Sequence, residues 1–234
     1  MIADVIQNQN PELTSKIKII PNPLPRDFSI SNIMTLNKDD PLILLYVGRI
    51  HPEKGLDLLL NAYMKFSKKS SKPTLLRIIG PHLSSLGGAG EAYLSKLKKI
   101  TDQRCPTEWL GPIFDSEKLQ HYYEQASFLV YPSIAAKGEA SPLTPVEAMA
   151  KGCIPILSNL DCFNDYLQPG YNGFSFDLQN GDPVDNLVAV FKKTTEIFDS
   201  LEDMKKACLD TARYFLPGII AEQYLSDFKT LLKS

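Results

Sequence analysis

The chain has 234 residues, of which 44% are hydrophobic, and a formal net charge of −2. A chain of this length and apolar content can bury a substantial core, either as one large domain or as two small ones. The charge balance gives no electrostatic reason to expect a nucleic-acid partner, so none is predicted. No apolar run is long enough to cross a bilayer. The sequence therefore predicts a cytoplasmic protein, with peripheral contact at the inner face of a membrane as an open alternative.

The cysteines and histidines argue against a structural metal. Four cysteines lack any C-x-x-C spacing, and only three histidines accompany them. A zinc site needs four such ligands at suitable spacing, so no metal site is predicted and the cysteines are expected to be reduced.

Apolar runs and helical patterns alternate from residue 42 onward. Strands are predicted at 42–47, 75–79, 107–110, 128–131, 153–157 and 173–176. Helices are predicted at 56–66, 92–100, 119–126, 142–151, 163–167, 187–198, 201–215 and 218–233. This alternation predicts a doubly wound α/β domain with a mostly parallel, Rossmann-like sheet and right-handed crossovers.

The first forty residues have a different character. A short helix at 2–7 and a strand at 16–20 are predicted before prolines at positions 21, 23 and 25. Three prolines in five residues break any regular element. This region is therefore interpreted as a linker or the edge of another unit.

The central helix is predicted to begin beside two carboxylates, Glu139 and Glu147. Ser141 is a suitable N-cap residue, Pro142 suits the first helical position, and Gly152 suits the residue after the end. Glu139 would then lie in the preceding loop and Glu147 within the helix. The alternative is an ordinary capped helix with one surface glutamate.

The first turn of that helix would leave backbone N–H groups unpaired at Leu143 and Thr144. Unpaired donors and the helix dipole together favour an anion. The sequence thus predicts an anion site at the start of this helix.

Two cations follow the first predicted strand in a glycine-bounded loop. Gly48 and Arg49 come directly after the strand, and Lys54 lies five residues further on. Arginine offers a planar set of donors and lysine a mobile point charge, so the pair could hold a phosphate group from two sides. The alternative is that Arg49 pairs with a nearby carboxylate and Lys54 is a solvated residue of a first helical turn.

The loops after parallel strands share one edge of a sheet, where ligands of such folds bind. Cations on one loop and a helix start on another are the arrangement that a diphosphate requires. No G-x-x-x-x-G-K-[ST], G-x-G-x-x-G or G-x-S-x-G motif follows a strand. No aspartate is followed two positions later by another, so charge neutralisation is predicted to come from the protein rather than from a metal ion.

Four segments together resemble a known family. They are 47–57 (VGRIHPEKGLD), 109–113 (WLGPI), 131–133 (YPS) and 139–152 (EASPLTPVEAMAKG). In this order they resemble the C-terminal, donor-binding half of retaining GT-B glycosyltransferases of family 4, the glycosyl transferases group 1. Residues 140–142 read ASP where that family often has GFG, which leaves the identity of the donor sugar open.

The resemblance implies a role for each matching residue. The implied donor-binding residues are Gly48, Arg49, Lys54, Ile113, Lys118, Ser141, Leu143, Thr144 and Glu147, and the implied catalytic residue is Glu139. Arg49 and Lys54 would hold the diphosphate, Glu147 the ribose hydroxyls, and Glu139 would face the transferred sugar. Ile113 and Lys118 would lie at the base, and the N–H groups of Leu143 and Thr144 at the distal phosphate. Glu139→Gln is accordingly expected to leave nucleotide binding nearly intact.

The resemblance also implies the substrates and the missing parts. The donor would be a nucleotide-diphosphate sugar, with UDP favoured over GDP, and no tightly bound cofactor or metal would be needed. Residues 1–40 would be the remnant of an N-terminal acceptor domain with its linker, 41–215 the nucleotide-sugar-binding domain, and 216–234 a helix that crosses to the missing domain. The acceptor would be a glycan or a lipid-linked sugar, as in polysaccharide biosynthesis. The chain alone is expected to transfer little or no sugar; the alternative is a non-catalytic nucleotide-binding or interaction module.

Overall fold

Six parallel strands form a single sheet in the computed structural model, which describes residues 2–31, 39–101, 105–135, 139 and 141–232. The strands are β1 (Leu42–Val47), β2 (Thr74–Ile79), β3 (Thr107–Gly111), β4 (Phe128–Tyr131), β5 (Ile154–Ser158) and β6 (Phe174–Phe176). Their order is β3-β2-β1-β4-β5-β6, and every neighbouring pair is parallel. The predicted doubly wound, Rossmann-like α/β sheet is confirmed, with each strand within one or two residues of its predicted position.

Eight α-helices connect and cover the strands in the described part of the chain. They are α1 (Ile2–Gln9), α2 (Leu56–Ser67), α3 (Glu91–Lys98), α4 (Ser116–Gln125), α5 (Thr144–Ala150), α6 (Pro183–Glu196), α7 (Glu202–Arg213) and α8 (Pro217–Leu231). Helix α2 packs against α6, and α5 packs against α7 and α4. The central strands are apolar on both faces because helices cover both sides of the sheet.

Two predicted elements are wrong. The strand expected at 16–20 is absent from the described sheet: a 3₁₀ helix spans Pro11–Lys16, and Ile19 is 68% exposed. The helix expected at 163–167 is replaced by a 3₁₀ helix at Asp161–Phe163 and a turn. Both segments are only five residues long, and the period of so short a segment does not identify its secondary structure.

The central helix begins later than predicted. Helix α5 starts at Thr144, and its N-cap residue is Leu143, whose side chain cannot cap, rather than Ser141. The Tyr166 hydroxyl donates to the carbonyl oxygen of Pro142 at 3.1 Å. This tertiary contact occupies a carbonyl that a helix starting at Pro142 would have used internally.

Part of the segment before β1 belongs to the compact domain. Leu24 and Phe28 are buried in the common core, and the Leu24 N–H donates to the carbonyl oxygen of Phe215 at 2.7 Å. The Lys151 ammonium, itself buried, donates to the Ser29 hydroxyl at 3.0 Å. Residues 32–38, within the region predicted as a linker, lie outside the described residues.

Truncation of Leu24 tests this packing. Leu24 is 1% exposed, so Leu24→Ala is expected to lower the free energy of unfolding by about 2–5 kcal/mol. Urea denaturation measures the change. Ile19→Ala, at an exposed site of the same segment, is the matched control and is expected to change stability by less than about 0.5 kcal/mol. Equal effects of the two substitutions would contradict the assignment of Leu24 to the core.

The last helix presents apolar side chains to solvent. Ile220 of α8 is buried, whereas Tyr224, Leu225 and Phe228 are about half exposed. An ion pair between Lys18 and Asp227, with nitrogen and oxygen 3.0 Å apart, ties α8 to the N-terminal segment. None of the described helices combines the length and the apolar character that a membrane span requires.

Candidate functional site

The strand order places a crevice between β1 and β4. From β1 the chain winds outward through β2 to β3 and then returns to the other side of β1 to form β4. The loops after β1 and β4 therefore leave the sheet in opposite directions, and ligands of doubly wound folds bind at such a switch point. Lys54 follows β1 and Glu139 follows β4, so both predicted residues lie on the loops that border this crevice.

Lys54 and Glu139 form a buried ion pair. The Lys54 ammonium contacts Oε1 of Glu139, and each residue is only 6% exposed. Removing two charges from water is costly unless they are paired and hydrogen-bonded. The alternative interpretation of Lys54 as a solvated residue is therefore wrong.

Two hydroxyl groups complete the surroundings of the Glu139 carboxylate. Ser133 donates to Oε1 at 2.7 Å, and the Tyr131 hydroxyl donates to the same oxygen at 3.1 Å. Burial and the nearby Glu139 charge raise the pKa of Tyr131, so its hydroxyl stays protonated and remains a donor. Lys54 also donates to the Tyr131 oxygen at 3.2 Å. The four side chains form one continuous hydrogen-bonded group.

Backbone contacts hold the two loops together. The Ile134 N–H donates to the carbonyl oxygen of Glu53 at 3.0 Å. Gly55 has φ +68°, and a Cβ at this position would lie 2.0 Å from the carbonyl oxygen of Pro132. Only glycine permits both the conformation and the close approach. The position of Lys54 relative to the β4 loop is therefore set by its glycine neighbour.

Arg49 lies at the outer side of the same loop. It pairs with Glu53, with Nη2 and Oε1 2.6 Å apart, and Nη1 donates to the carbonyl oxygen of Gly87 at 3.0 Å. The Arg49 side chain is 44% exposed. The alternative interpretation, in which Arg49 pairs with a nearby carboxylate, describes this arrangement correctly. The guanidinium nevertheless faces solvent at the strand-end edge, on the same loop as Lys54 and five residues before it.

Glycines bring the ends of the first two strands close together. The Gly48 N–H donates to the carbonyl oxygen of Ile79 at 3.0 Å. A Cβ on Gly80, which has φ +152°, would lie 1.8 Å from the carbonyl oxygen of Gly48. Backbone atoms at Gly48 are therefore packed directly against the β2 loop, and no side chain could be added between them.

Glu147 belongs to a separate hydrogen-bonded group. The Tyr123 hydroxyl donates to Glu147 Oε2 at 2.9 Å, and burial raises the pKa of Glu147. Among the described residues no hydrogen bond joins this carboxylate to the Glu139 group. The half-buried residues Ser141, Leu143 and Thr144 lie between the two glutamates in the chain, and residues 136–138 and 140 lie outside the described part.

Ile113 and Lys118 flank the start of α4. Ile113 is half-buried against the core, whereas Lys118 is exposed. The Asp115 carboxylate caps α4 by accepting from the Lys118 N–H at 3.0 Å. No hydrogen bond or ion pair joins these two residues to the Lys54–Glu139 pair in the described structure. The described residues also contain no cluster of three or more His, Cys, Asp or Glu side chains suited to a metal ion.

Sequence reasoning assigned no role to Tyr131, Ser133 or Ser158. Ser158, at the end of β5, donates to the carbonyl oxygen of Ser133 at 2.6 Å, and both serines are at most 1% exposed. In the sequence, these three residues could have been found as polar side chains at the ends of two fully buried strands. A polar group at such a position needs a buried partner, and here the partner is the Glu139 site.

Comparison with known proteins identifies the family of the chain. The sequence profile of the family described as "Glycosyl transferases group 1" matches residues 31–207, which is more than half of the chain. The chain belongs to this glycosyltransferase family. It is 27% identical over 173 residues to granule-bound starch synthase 1, chloroplastic/amyloplastic, of Pisum sativum, and the match covers 70% of the chain and 26% of that protein.

Two solved structures share the fold of this chain. Sucrose-phosphate synthase from Thermosynechococcus elongatus gives a TM-score of 0.74 at 21% identity, over 99% of this chain and 57% of the other. Anabaena HepE, solved in complex with UDP and glucose, gives 0.65 at 16% identity, over 81% and 48%. The chain thus spans about a quarter of the starch synthase and about half of each solved chain.

Proposed function

We propose that this chain is the donor-binding domain of a retaining family 4 glycosyltransferase, the C-terminal half of a GT-B enzyme. The observation that carries the proposal is the buried Lys54–Glu139 pair at the β1/β4 switch point. A buried cation and carboxylate at the ligand edge of a doubly wound sheet suit a donor with an anionic diphosphate and a polar sugar. Anabaena HepE, which shares the fold, was solved with UDP and glucose.

The donor's diphosphate would lie between Arg49 and Lys54. Arg49 is exposed at the crevice edge and carries several N–H donors, whereas Lys54 supplies a positive charge from inside. The N–H groups of Leu143 and Thr144, with Ser141 and Gly48 beside the crevice, would complete the phosphate surroundings. These groups would neutralise the leaving diphosphate without a resident metal ion. UDP is favoured over GDP as the nucleotide.

The two glutamates would have different tasks. Glu139, held by hydroxyl donors next to Lys54, would bind the sugar and face its anomeric carbon. Glu147, oriented by Tyr123, would bind the ribose hydroxyls, and Ile113 with Lys118 would contact the base. As bond cleavage proceeds, positive charge develops on the sugar and negative charge on the diphosphate. The Glu139 carboxylate and the Arg49–Lys54 cations would stabilise these two charges respectively.

The acceptor would be bound by a separate N-terminal domain. We propose that residues 1–40 include the connection to it and that α8, with its exposed apolar side chains, crosses to it. The isolated chain would bind the donor but transfer little sugar, because an acceptor site and a closing cleft are both required. The acceptor would be a glycan or lipid-linked sugar in the cytoplasm or at the inner face of a membrane. A non-catalytic nucleotide-binding module would share the nucleotide site but would gain nothing from a sugar.

A thermal-shift series with UDP, GDP and their sugars tests the donor site. A ligand at 100 times its dissociation constant adds about 2.7 kcal/mol, which corresponds to a Tm increase of roughly 5–11 °C for a domain of this size. We expect this increase with UDP, and Arg49→Ala should reduce it to less than half. Since Arg49 is exposed, the Tm of the ligand-free variant should hardly change.

Arg213→Ala is the matched control. Arg213 is also an exposed arginine paired with an acidic side chain, Asp210, but it lies at the end of α7. This variant should keep the full UDP-dependent increase in Tm. An unchanged increase in Arg49→Ala, or no increase with any nucleotide in the wild-type chain, would refute the proposed donor site.

A further inference from the structure

The Glu139 carboxylate is fixed by side chains on the loop after β1 and at the end of β4, with support from β5. Tyr131 is the last residue of β4, and Ser133 lies on the loop that follows. Both donate to Oε1, the oxygen that also contacts Lys54. Ser158, on the neighbouring strand β5, donates to the Ser133 carbonyl at 2.6 Å. Three donors therefore converge on one oxygen, and a second strand holds the loop that carries one of them.

We propose that Tyr131 and Ser133 are positioning residues that orient Glu139 toward the sugar of the donor, with Ser158 fixing Ser133 in place. This inference rests on the proposed donor-binding function and adds the residues that give Glu139 its direction. With Oε1 held by three donors, Oε2 is the oxygen available to a ligand. In the described residues, no hydrogen bond reaches Oε2.

The packing makes these hydroxyl groups rigid. Ser133 is 0% and Tyr131 4% exposed, so neither side chain can turn toward water. The Tyr131 ring stacks on Tyr46 with ring centroids 6.4 Å apart and meets the edge of Phe163 at 6.0 Å. A carboxylate held by buried donors of fixed direction keeps one orientation, whereas a carboxylate bound only to a flexible lysine can rotate with it. The two hydroxyls fix the orientation of the Glu139 carboxylate, and Lys54 balances its negative charge.

The Ser133 and Tyr131 hydroxyls allow the contribution of the sugar to donor binding to be distinguished from that of the nucleotide. Neither hydroxyl is bonded to Arg49, Glu147 or α5 among the described contacts, but Lys54, proposed to hold the diphosphate, donates to the Tyr131 oxygen at 3.2 Å. Loss of the Tyr131 hydroxyl also removes an acceptor for Lys54 and therefore affects both the sugar and the nucleotide. Loss of the Ser133 hydroxyl should weaken the interaction with the sugar while leaving the interaction with the nucleotide nearly unchanged. This selectivity distinguishes a positioning role from a general loss of stability, which would weaken both.

The experiment measures dissociation constants for UDP and UDP-glucose by calorimetry on the full chain. The dissociation constant of UDP divided by that of UDP-glucose gives the contribution of the sugar to affinity. Tyr131→Phe and Ser133→Ala should each reduce this ratio about three- to tenfold, and in Ser133→Ala the UDP constant should change less than about twofold. Ser133→Thr, which keeps the hydroxyl, should recover part of the ratio.

Two matched controls remove equally buried hydroxyls at the other end of the sheet. Tyr63→Phe loses a hydroxyl that donates to the Pro106 carbonyl at 2.7 Å, and Ser127→Ala loses one that accepts from the Ile43 N–H at 3.2 Å. Both should lower stability without changing the ratio. Equal ratios in the site variants and the controls would overturn the positioning role, as would a wild-type chain that binds UDP-glucose no more tightly than UDP. Failure of the wild-type chain to bind UDP or GDP at all would instead overturn the proposed function.

Discussion

Lys54→Met is expected to lower the free energy of unfolding by about 3–5 kcal/mol, because it leaves the buried Glu139 carboxylate without its cation. Methionine has a similar length and fills the same space, so lost packing contributes little. For a chain of this size the corresponding fall in Tm is roughly 6–20 °C. Differential scanning calorimetry of the ligand-free protein measures it directly.

A second substitution separates the charge from the packing. In Lys54→Met/Glu139→Gln both charges are gone, while the glutamine oxygen can still accept from Tyr131 and Ser133. We expect this double variant to recover at least half of the lost stability, since a neutral buried pair has no unpaired charge to desolvate. Lys65→Ala is the control for removal of an exposed lysine: its side chain is 52% exposed, and its loss should change stability by less than about 1 kcal/mol. A double variant as unstable as Lys54→Met would show that packing rather than charge is responsible.

The same pair shows where sequence reasoning succeeds and where it stops. The strands were predictable because β1, β4 and β5 are buried on both faces and therefore appear as continuous apolar runs. The edge at which the loops meet then follows from the parallel topology. The pattern of strands and loops predicted that Lys54 and Glu139 lie at the same edge of the sheet, although 85 positions separate them in the chain.

Burial of individual polar groups could not be predicted in this way. Lys54 has the local sequence of a solvated first-turn lysine, and only the approach of the β4 loop buries it. Likewise, Ser141 has the chemistry of an N-cap, but the contact from Tyr166 to the Pro142 carbonyl moves the helix start to Thr144. In each case the deciding contact comes from a distant part of the chain. Tertiary contacts override local preferences at such positions.

Glu139→Gln is expected to strengthen UDP binding about tenfold, which revises the expectation from sequence that nucleotide affinity would stay nearly the same. In the ligand-free structure the Glu139 carboxylate neutralises Lys54. A diphosphate that approaches Lys54 also approaches Glu139, and at about 8 Å with an effective dielectric constant of about 20 the repulsion per unit charge is about 2 kcal/mol. Water and salt in the open crevice screen part of it. The glutamine removes this repulsion and leaves the Lys54 charge free to act on the diphosphate.

The strengthened binding should be confined to the nucleotide. Because a glutamine amide accepts weaker hydrogen bonds from the sugar hydroxyls than a carboxylate does, UDP-glucose should gain less affinity than UDP in the same variant. Glu108→Gln removes one negative charge from an ion pair with Arg77 on the outer strands and should change neither constant by more than about twofold. Calorimetric titration at two salt concentrations measures both effects, and the gain in UDP affinity should shrink at the higher one. Weaker UDP binding by Glu139→Gln would mean that Glu139 holds Lys54 in its binding position rather than competing with the diphosphate for it.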